Sequence, residues 1–309
     1  MVVTEKYLIE SCILEHVSNI AKRRACATEL NLRVSYATDT GLMREQNEDS
    51  FCIGGRLTHK FGESEHGGYS VPSGGTHIFG LFDGMGGEAF GEAASEISAQ
   101  TMNSYNGRFS DCSAERLNTL MNEYAERANC GILDMLTKRG ADGGGSTFTA
   151  IVVKDGTAYP YYIGDSRIYL YKDGVLRQLS RDQTLAQRLV DAGYMTEKEA
   201  EHSYESPVLT NFLGADGKRQ GLEVQVCEPV PLEVGVMLLM CSDGLSDMCS
   251  RREIAEVMRR SSPDTASKLV EAALKNGGFD NVTCVTVGCF ENLKKRTDTA
   301  DPKLRLPIR

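Results

Sequence analysis

The stretch "HIFGLFDGMGGEAFGEAA", residues 77–94, is an apolar run that stops at an acid, Asp83, and continues into three glycines within four residues. Two ligand chemistries compete for this turn. Gly84, Gly86 and Ala89 fit the G-x-G-x-x-G/A fingerprint, in which a strand gives way to a helix whose N-terminus holds a pyrophosphate. An ionised Asp83 just before the first glycine opposes that reading, because it sets like charge beside the phosphates. The fingerprint also asks for an acid about 20 residues on, and Asn103, Ser104, Tyr105 and Asn106 offer none. A carboxylate at a strand end, beside flexible backbone, suits a hard cation.

The same arrangement recurs along the chain. "TAYPYYIGDSR" carries Asp165 past a strand-like run, "VMLLMCSDGL" carries Asp243, and "GGFDNVTCVTV" places Asp280 just before a strand alternating through Val282, Cys284 and Val285 to Val287. A lone Asp-Gly after a strand is ordinary turn chemistry. Turn chemistry does not require long apolar runs to end in aspartate repeatedly, whereas a metal cluster needs several strands to bring carboxylates to one end of a sheet.

Around these acids the chain reads as one large domain. Strand patterns fall at 31–37, 50–53, 76–82, 147–153, 157–164, 167–171, 222–227, 236–242 and 282–289, and Lys172-Asp173-Gly174 closes a hairpin. Helical periodicity runs through 87–104 and 114–138. Thr196 with Glu199 and Ser250 with Glu253 read as capping boxes, and Ser262-Pro263 reads as a cap and first turn. The strands come in runs rather than singly between helices, which favours an α+β sandwich over a doubly wound parallel sheet. The Gly-rich segment 54–75, with His59, Glu63, Glu65 and His66, reads as a solvated loop on its irregular ligand spacing, with a metal site as the alternative.

Residues 1–30 form an N-terminal extension with an amphipathic helical pattern, Leu8, Ile9, Cys12, Ile13, Val17 and Ile20 sharing one side. That stripe packs on the body or docks on a partner. The tail at 291–309 lacks apolar periodicity and reads as disordered, with Lys294, Lys295 and Arg296 solvated.

Composition narrows the function. A formal net charge of −9 argues against a nucleic-acid partner and leaves an anionic substrate in need of local help from a metal or an arginine. Ten cysteines form no CxxC pair, and Cys52, Cys241, Cys284 and Cys289 lie in strand-like runs, so a reduced, cytoplasmic setting is expected. No apolar run is long enough to span a membrane, and no signal peptide is read at the start. The anion's helper has a candidate in "GLMREQNEDSF", where Arg44 offers a bidentate clamp and Glu48 and Asp49 offer carboxylates to orient metal-bound waters.

Together, "REQNED", "FDGMGG", "GGGSTFTAIVV", "IGDSRIYLY", "LMCSDGLSD" and "FDNVTCVTV" resemble, in order and approximate spacing, the metal-dependent serine/threonine protein phosphatases of the protein phosphatase 2C (PPM) family. The resemblance spans about residues 31–290 and is greatest to the bacterial branch, whose mobile flap is matched at about 181–214. It implies a four-layer αββα sandwich, with two central antiparallel sheets flanked by helices and a centre of two Mn²⁺ or Mg²⁺ ions at one end. By the same resemblance Asp83 bridges both metals, Asp243 and Asp280 complete the first site, and the Gly84 carbonyl with Glu48 serves the second. Asp165 holds a third, weaker ion, and Arg44 binds phosphate. The implied activity is hydrolysis of phosphoserine and phosphothreonine in phosphorylated proteins, the products of a serine/threonine kinase, by direct attack of a metal-bridging water. The chain departs from eukaryotic members at Met85, where their histidine is placed to protonate the leaving group. Two alternatives stay open: a two-metal phosphoesterase acting on a small molecule, and a silent member acting as a binding or sensing module.

Overall fold

In the first strand, β1 (Leu30–Asp39), side chains alternate sharply: Leu32, Val34 and Tyr36 enter one apolar core, while Ser35 and Ala37 face another. A strand buried on both faces must lie between two layers, and that sets the architecture. The structure, a computed structural model, describes residues 30–57, 64–86, 90–141, 143–200, 203–215 and 222–291. The amphipathic pattern of the first 29 residues, the tail from residue 292, His59 and Glu63 lie outside the described residues.

The strands that follow are β2 (Ser50–Ile53), β3 (Arg56–Leu57), β4 (Glu65–Pro72), β5 (Thr76–Phe82), β6 (Gly84–Met85), β7 (Gly145–Ser146), β8 (Phe148–Lys154) and β9 (Thr157–Ile163). After them come β10 (Arg167–Lys172), β11 (Val175–Gln178), β12 (Gln225–Val226), β13 (Val230–Pro231), β14 (Met237–Cys241) and β15 (Val282–Glu291). One sheet runs β11-β10-β14-β15-β1-β4 and the other β12-β9-β8-β5-β2-β3, with β13 also on β9. The pairings are antiparallel, as the clustering of strands in runs implies.

Three cores separate four layers. Phe51, Phe79, Leu81, Ile151 and Val153 of the second sheet meet Leu32, Val34, Leu238, Met240, Val285 and Val287 of the first. The other face of the second sheet, through Phe82, Phe148 and Tyr161, packs on helices α1 (Phe90–Asp111) and α2 (Leu117–Arg139). The other face of the first sheet, through Leu239, Cys241 and Cys284, packs on α6 (Arg251–Arg259) and α7 (Thr265–Lys275). Between these pairs lie α3 (Leu185–Asp191), α4 (Glu197–Ala200) and α5 (Asp243–Ser246). The αββα sandwich expected from the sequence is the fold.

Three local expectations need correction. Residues 65–72 are a strand and not loop: β4 pairs with β1 from Thr38↔Glu65 to Asn31↔Pro72. Its glycines are depleted in strands generally, but here they make room. A Cβ on Gly67 would lie 2.8 Å from the Tyr36 ring, and one on Gly68 would lie 2.8 Å from the Val34 carbonyl. The last long helix starts at Thr265 rather than at Ser262-Pro263. The Thr265 hydroxyl accepts from the Ser262 N–H at 2.8 Å, so Ser262 and Pro263 form the turn leading in. The strand read over 222–227 shrinks to the two-residue β12. Both capping boxes form, with the Ser250 and Thr196 hydroxyls accepting from Glu253 N and Glu199 N while each glutamate accepts the reciprocal N–H. Among the described residues no helix is long and apolar enough to cross a membrane.

Candidate active site

Both sheets send acids to one end of the sandwich. Asp83 directly follows β5, and Asp165 lies two residues past β9, both strands belonging to the second sheet. From the first sheet, Asp243 lies two residues past β14, as the first residue of α5, and Asp280 lies two residues before β15. The four acids singled out at strand ends are brought together. Asp83 is held well above the usual carboxylate range, first by burial and then by the charges of Asp49, Asp243, Asp165 and Asp280. Asp243 is raised in the same way by burial, then by Asp165, Asp247, Asp280 and Asp49. Asp165 is pushed up to about 7, by burial and then by Asp182. Asp83, Asp165 and Asp243 keep a solvent-accessible edge within dense protein surroundings, which places them on the floor of a cleft.

Close backbone approach sets Glu48 and Gly84 beside them. A Cβ on Gly84 would collide with the carbonyls of Gly91 and Glu48, and a Cβ on Gly91 would lie 2.8 Å from the Glu48 carboxyl carbon. Only glycine at both positions lets the first turn of α1 and the 44–49 loop close on the residue after Asp83. The Ser95 hydroxyl donates to the Glu48 carbonyl at 2.6 Å and fixes that loop. Burial raises the Glu48 carboxyl while the nearby Arg44 charge lowers it.

Asp49 faces inward. It is buried, accepts from the Ser242 hydroxyl at 2.8 Å and is pushed up to about 6 by burial, with hydrogen bonds from Thr283 and Ser242 opposing the rise. Arg44 lies on the outer side, where its guanidinium donates to Asp280 Oδ2 at 2.6 Å. That pairing occupies one of five guanidinium N–H donors and leaves the others for an anion.

Sequence reasoning missed Asn281. Its side-chain oxygen accepts from the Glu48 N–H at 2.8 Å, and its amide nitrogen donates to the carbonyls of Thr40 and Gln46, both at 2.8 Å. One buried side chain therefore fixes the loop bearing Arg44 and Glu48 against the turn bearing Asp280. Asp247 was also passed over, although it stands four residues after Asp243 in "SDGLSD" and adds its charge to Asp243 and Asp165. A second acid at helical spacing was the available signal.

The 181–214 segment is tied to the cleft at two points. Gln183 accepts from the Gly164 N–H through its side chain at 2.7 Å and donates its own N–H to the Gly164 carbonyl at 3.0 Å, next to Asp165. Leu213 and Ser146 exchange backbone hydrogen bonds at 2.9 Å, and Ser146 pairs with Gly84. Thr184 bridges Leu209 across the base, and Arg167 holds Asp182 through both carboxylate oxygens.

Among the described residues no three His, Cys, Asp or Glu side chains enclose an ion as they stand. The donor set nevertheless fits hard divalent cations. It consists of oxygens, it gathers like charges that disfavour one another's ionised forms, and among the described residues only Asp280 of these acids has a cationic partner, Arg44, within ion-pair distance. Met85, half-buried and paired with Gly145 in β6, offers the cleft no acidic proton.

Residues 66–277 match the profile of the family described as "Protein phosphatase 2C". The "Serine/threonine protein phosphatase PstP" of Mycobacterium tuberculosis is 32% identical over 258 residues, covering 83% of this chain and 45% of that protein, so the chain spans less than half the length of this relative. "Protein phosphatase PhpP" of Streptococcus pneumoniae is 31% identical over 266 residues, 84% of this chain and 98% of its own length. Among solved structures, the catalytic domain of PstP in complex with two manganese ions is 30% identical with a TM-score of 0.67, covering 85% of this chain and all of that one. With six motifs in order, four acids converging from two sheets and a family profile that matches more than half of this chain, the chain belongs to the protein phosphatase 2C family.

Proposed function

We propose that the protein is a metal-dependent protein serine/threonine phosphatase that uses Mn²⁺ or Mg²⁺. The observation that carries the reading is the convergence of Asp83, Asp243, Asp165 and Asp280 from both sheets, each of the first three raised by burial and by its neighbours' charge. In this reading Asp83, Asp243 and Asp280 would hold one ion, and Asp83 with the Gly84 carbonyl and Glu48 would hold the other. Asp49 would support the inner side, and Asp165 would hold a third ion. When bound, the ions supply an acidified water for in-line attack and neutralise the oxygens of the transferring phosphoryl group. Arg44 turns its remaining N–H donors to those oxygens. Asp280 is held from its other oxygen as well, because the Asn281 N–H donates to its Oδ1 at 2.8 Å.

Residues 31–290 constitute the phosphatase unit in this reading, the 181–214 segment is its flap, and residues 1–30 and 291–309 stand outside it. The two anchors of the flap, at Gly164 and Ser146, connect it to the strands and turns that carry Asp165 and Gly84. The substrates are phosphorylated proteins, the products of a serine/threonine kinase. A reducing, cytoplasmic setting is supported by the described cysteines, none of which is in a disulfide. No side chain at Met85 protonates the leaving alkoxide, so that proton comes from water or from another group.

The test is phosphate release from phosphothreonine and phosphoserine peptides beside release from nucleoside monophosphates. Peptide turnover is expected only with Mn²⁺ or Mg²⁺, is expected to vanish with chelator, and should return on metal addition. Turnover of nucleotides alone would assign a small-molecule phosphoesterase, and no turnover with metal present would assign a binding module.

A further inference from the structure

The two loops that carry Arg44 and Asp280 also carry three large apolar side chains that the fold leaves in water. Leu42 is 65%, Met43 67% and Phe279 60% exposed. The loops lie against each other: the Leu42 N–H donates to the Gly278 carbonyl at 2.7 Å, and Arg44 donates to Asp280 at 2.6 Å. Close contact also locates the side chains. The Leu42 Cγ is 3.1 Å from where a Gly278 Cβ would be, and the Phe279 ring is 3.2 Å from where a Gly277 Cβ would be. Gly277, at φ 130°, and Gly278, at φ 52°, hold the turn in a conformation that side chains disfavour, and in doing so they keep its surface low beneath Leu42 and Phe279.

Exposed apolar residues scattered singly need no explanation, but a cluster on the rim of a binding cleft does. Here three such residues fall within two positions of the two groups that face the phosphoryl transfer. The surrounding charge is unfavourable to acidic flanks, since the chain carries a net charge of −9 that ions bound by the acids offset only in part. A peptide extended from a phosphate on Arg44 advances about 3.3 Å per residue, so its immediate neighbours reach this shelf.

We propose that Leu42, Met43 and Phe279 form a specificity shelf that takes an apolar side chain flanking the phosphorylated serine or threonine of the substrate, and that it disfavours acidic flanks. The proposal rests on the protein phosphatase reading above. The shelf acts on the part of the substrate remote from phosphorus, so it serves recognition of peptides and contributes nothing to small aryl phosphates.

The experiment compares phosphothreonine peptides carrying Leu, Lys or Asp on each side of the phosphoresidue with p-nitrophenyl phosphate, in the Mn²⁺-loaded full chain. Wild-type protein is expected to turn over Leu-flanked peptides about tenfold better in kcat/KM than Asp-flanked ones, the order of effect given by burying part of one large side chain. In Met43→Ser/Phe279→Ser that preference is expected to collapse through KM, with aryl phosphate turnover unchanged, and Phe279→Leu is expected to retain most of it. Absence of an apolar preference in the wild type, its survival in the double variant, or a loss in Phe279→Leu equal to that in Phe279→Ser would each overturn the shelf while leaving the phosphatase reading intact. Failure to release phosphate from every peptide would overturn both.

Discussion

Asp243→Asn is expected to lower phosphopeptide turnover by more than about a hundredfold, because loss of a residue that merely supports a metal ligand already costs about 10–100-fold. The same substitution is expected to leave the metal-free fold intact or to stabilise it. Asp243 has its folded-state proton affinity raised by burial and by Asp165, Asp247, Asp280 and Asp49, so near neutral pH its ionised form works against folding. For an acid raised in this way, stability falls as pH climbs through the folded-state value, and a neutral amide removes that loss. The two readouts therefore move apart. Activity falls, the melting temperature in chelator holds or rises, and the rise in melting temperature on adding Mn²⁺ shrinks. An Asn variant with wild-type turnover would remove Asp243 from the machinery, and one with a lowered metal-free melting temperature would make it a structural residue.

The second large effect is expected at Asn281, which no metal touches in this reading. Asn281→Ala removes three hydrogen bonds of 2.8 Å at a position only 6% exposed, and it leaves the Glu48 N–H and the Thr40 and Gln46 carbonyls without that partner. An unsatisfied buried polar group costs about 1–3 kcal/mol. With partial access of water to the loop, the total is expected near 3 kcal/mol, which lowers the melting temperature by roughly 10 °C in a domain of this size. Loosening the 40–48 loop also frees Arg44 and Glu48, so turnover should fall in Asn281→Ala even at temperatures where the variant is folded. Thermal melting and turnover at 20 °C check both parts. A melting temperature within a degree of wild type would show that water replaces the side chain at no cost.

These two residues mark where the sequence could be read and where it could not. Asp243 was legible because an apolar run ending in an acid is a local pattern, and its repetition at Asp83, Asp165 and Asp280 has no explanation in turn chemistry. The same locality made β1, β2, β5 and the Asp173-Gly174 hairpin legible, with Asp173 at φ 51° and Gly174 at φ 82°. Asn281 was not legible. Its partners are backbone groups more than 230 residues away, and a side chain that serves distant carbonyls leaves no periodic trace. Asn47, Ser242 and Thr147 belong to the same class, since each ties a loop or turn through its side chain: Asn47 donates to Thr38 and accepts from the Asp49 N–H, Ser242 donates to Asp49 and accepts from the Thr283 N–H, and Thr147 accepts from the Asp83 N–H and is hydrogen-bonded to Ser166. β4 was missed for another reason. Its Gly67 and Gly68 read as loop because their value lies in the space they leave for Tyr36 and the Val34 carbonyl, which only the pairing with β1 reveals. Helix α3 was missed because among its seven residues only Ala186 is buried, too little apolar face for a period to register.

The convergence of carboxylates is the centre of the proposed chemistry, and anomalous diffraction at the manganese edge from Mn²⁺-soaked crystals tests it most directly. The expected result is two strong peaks about 3.5–4 Å apart, with Asp83 between them, Asp243 and Asp280 on one, and the Gly84 carbonyl and Glu48 on the side of the other. No peak at the ends of β5 and β14, or manganese bound only elsewhere on the surface, would contradict it.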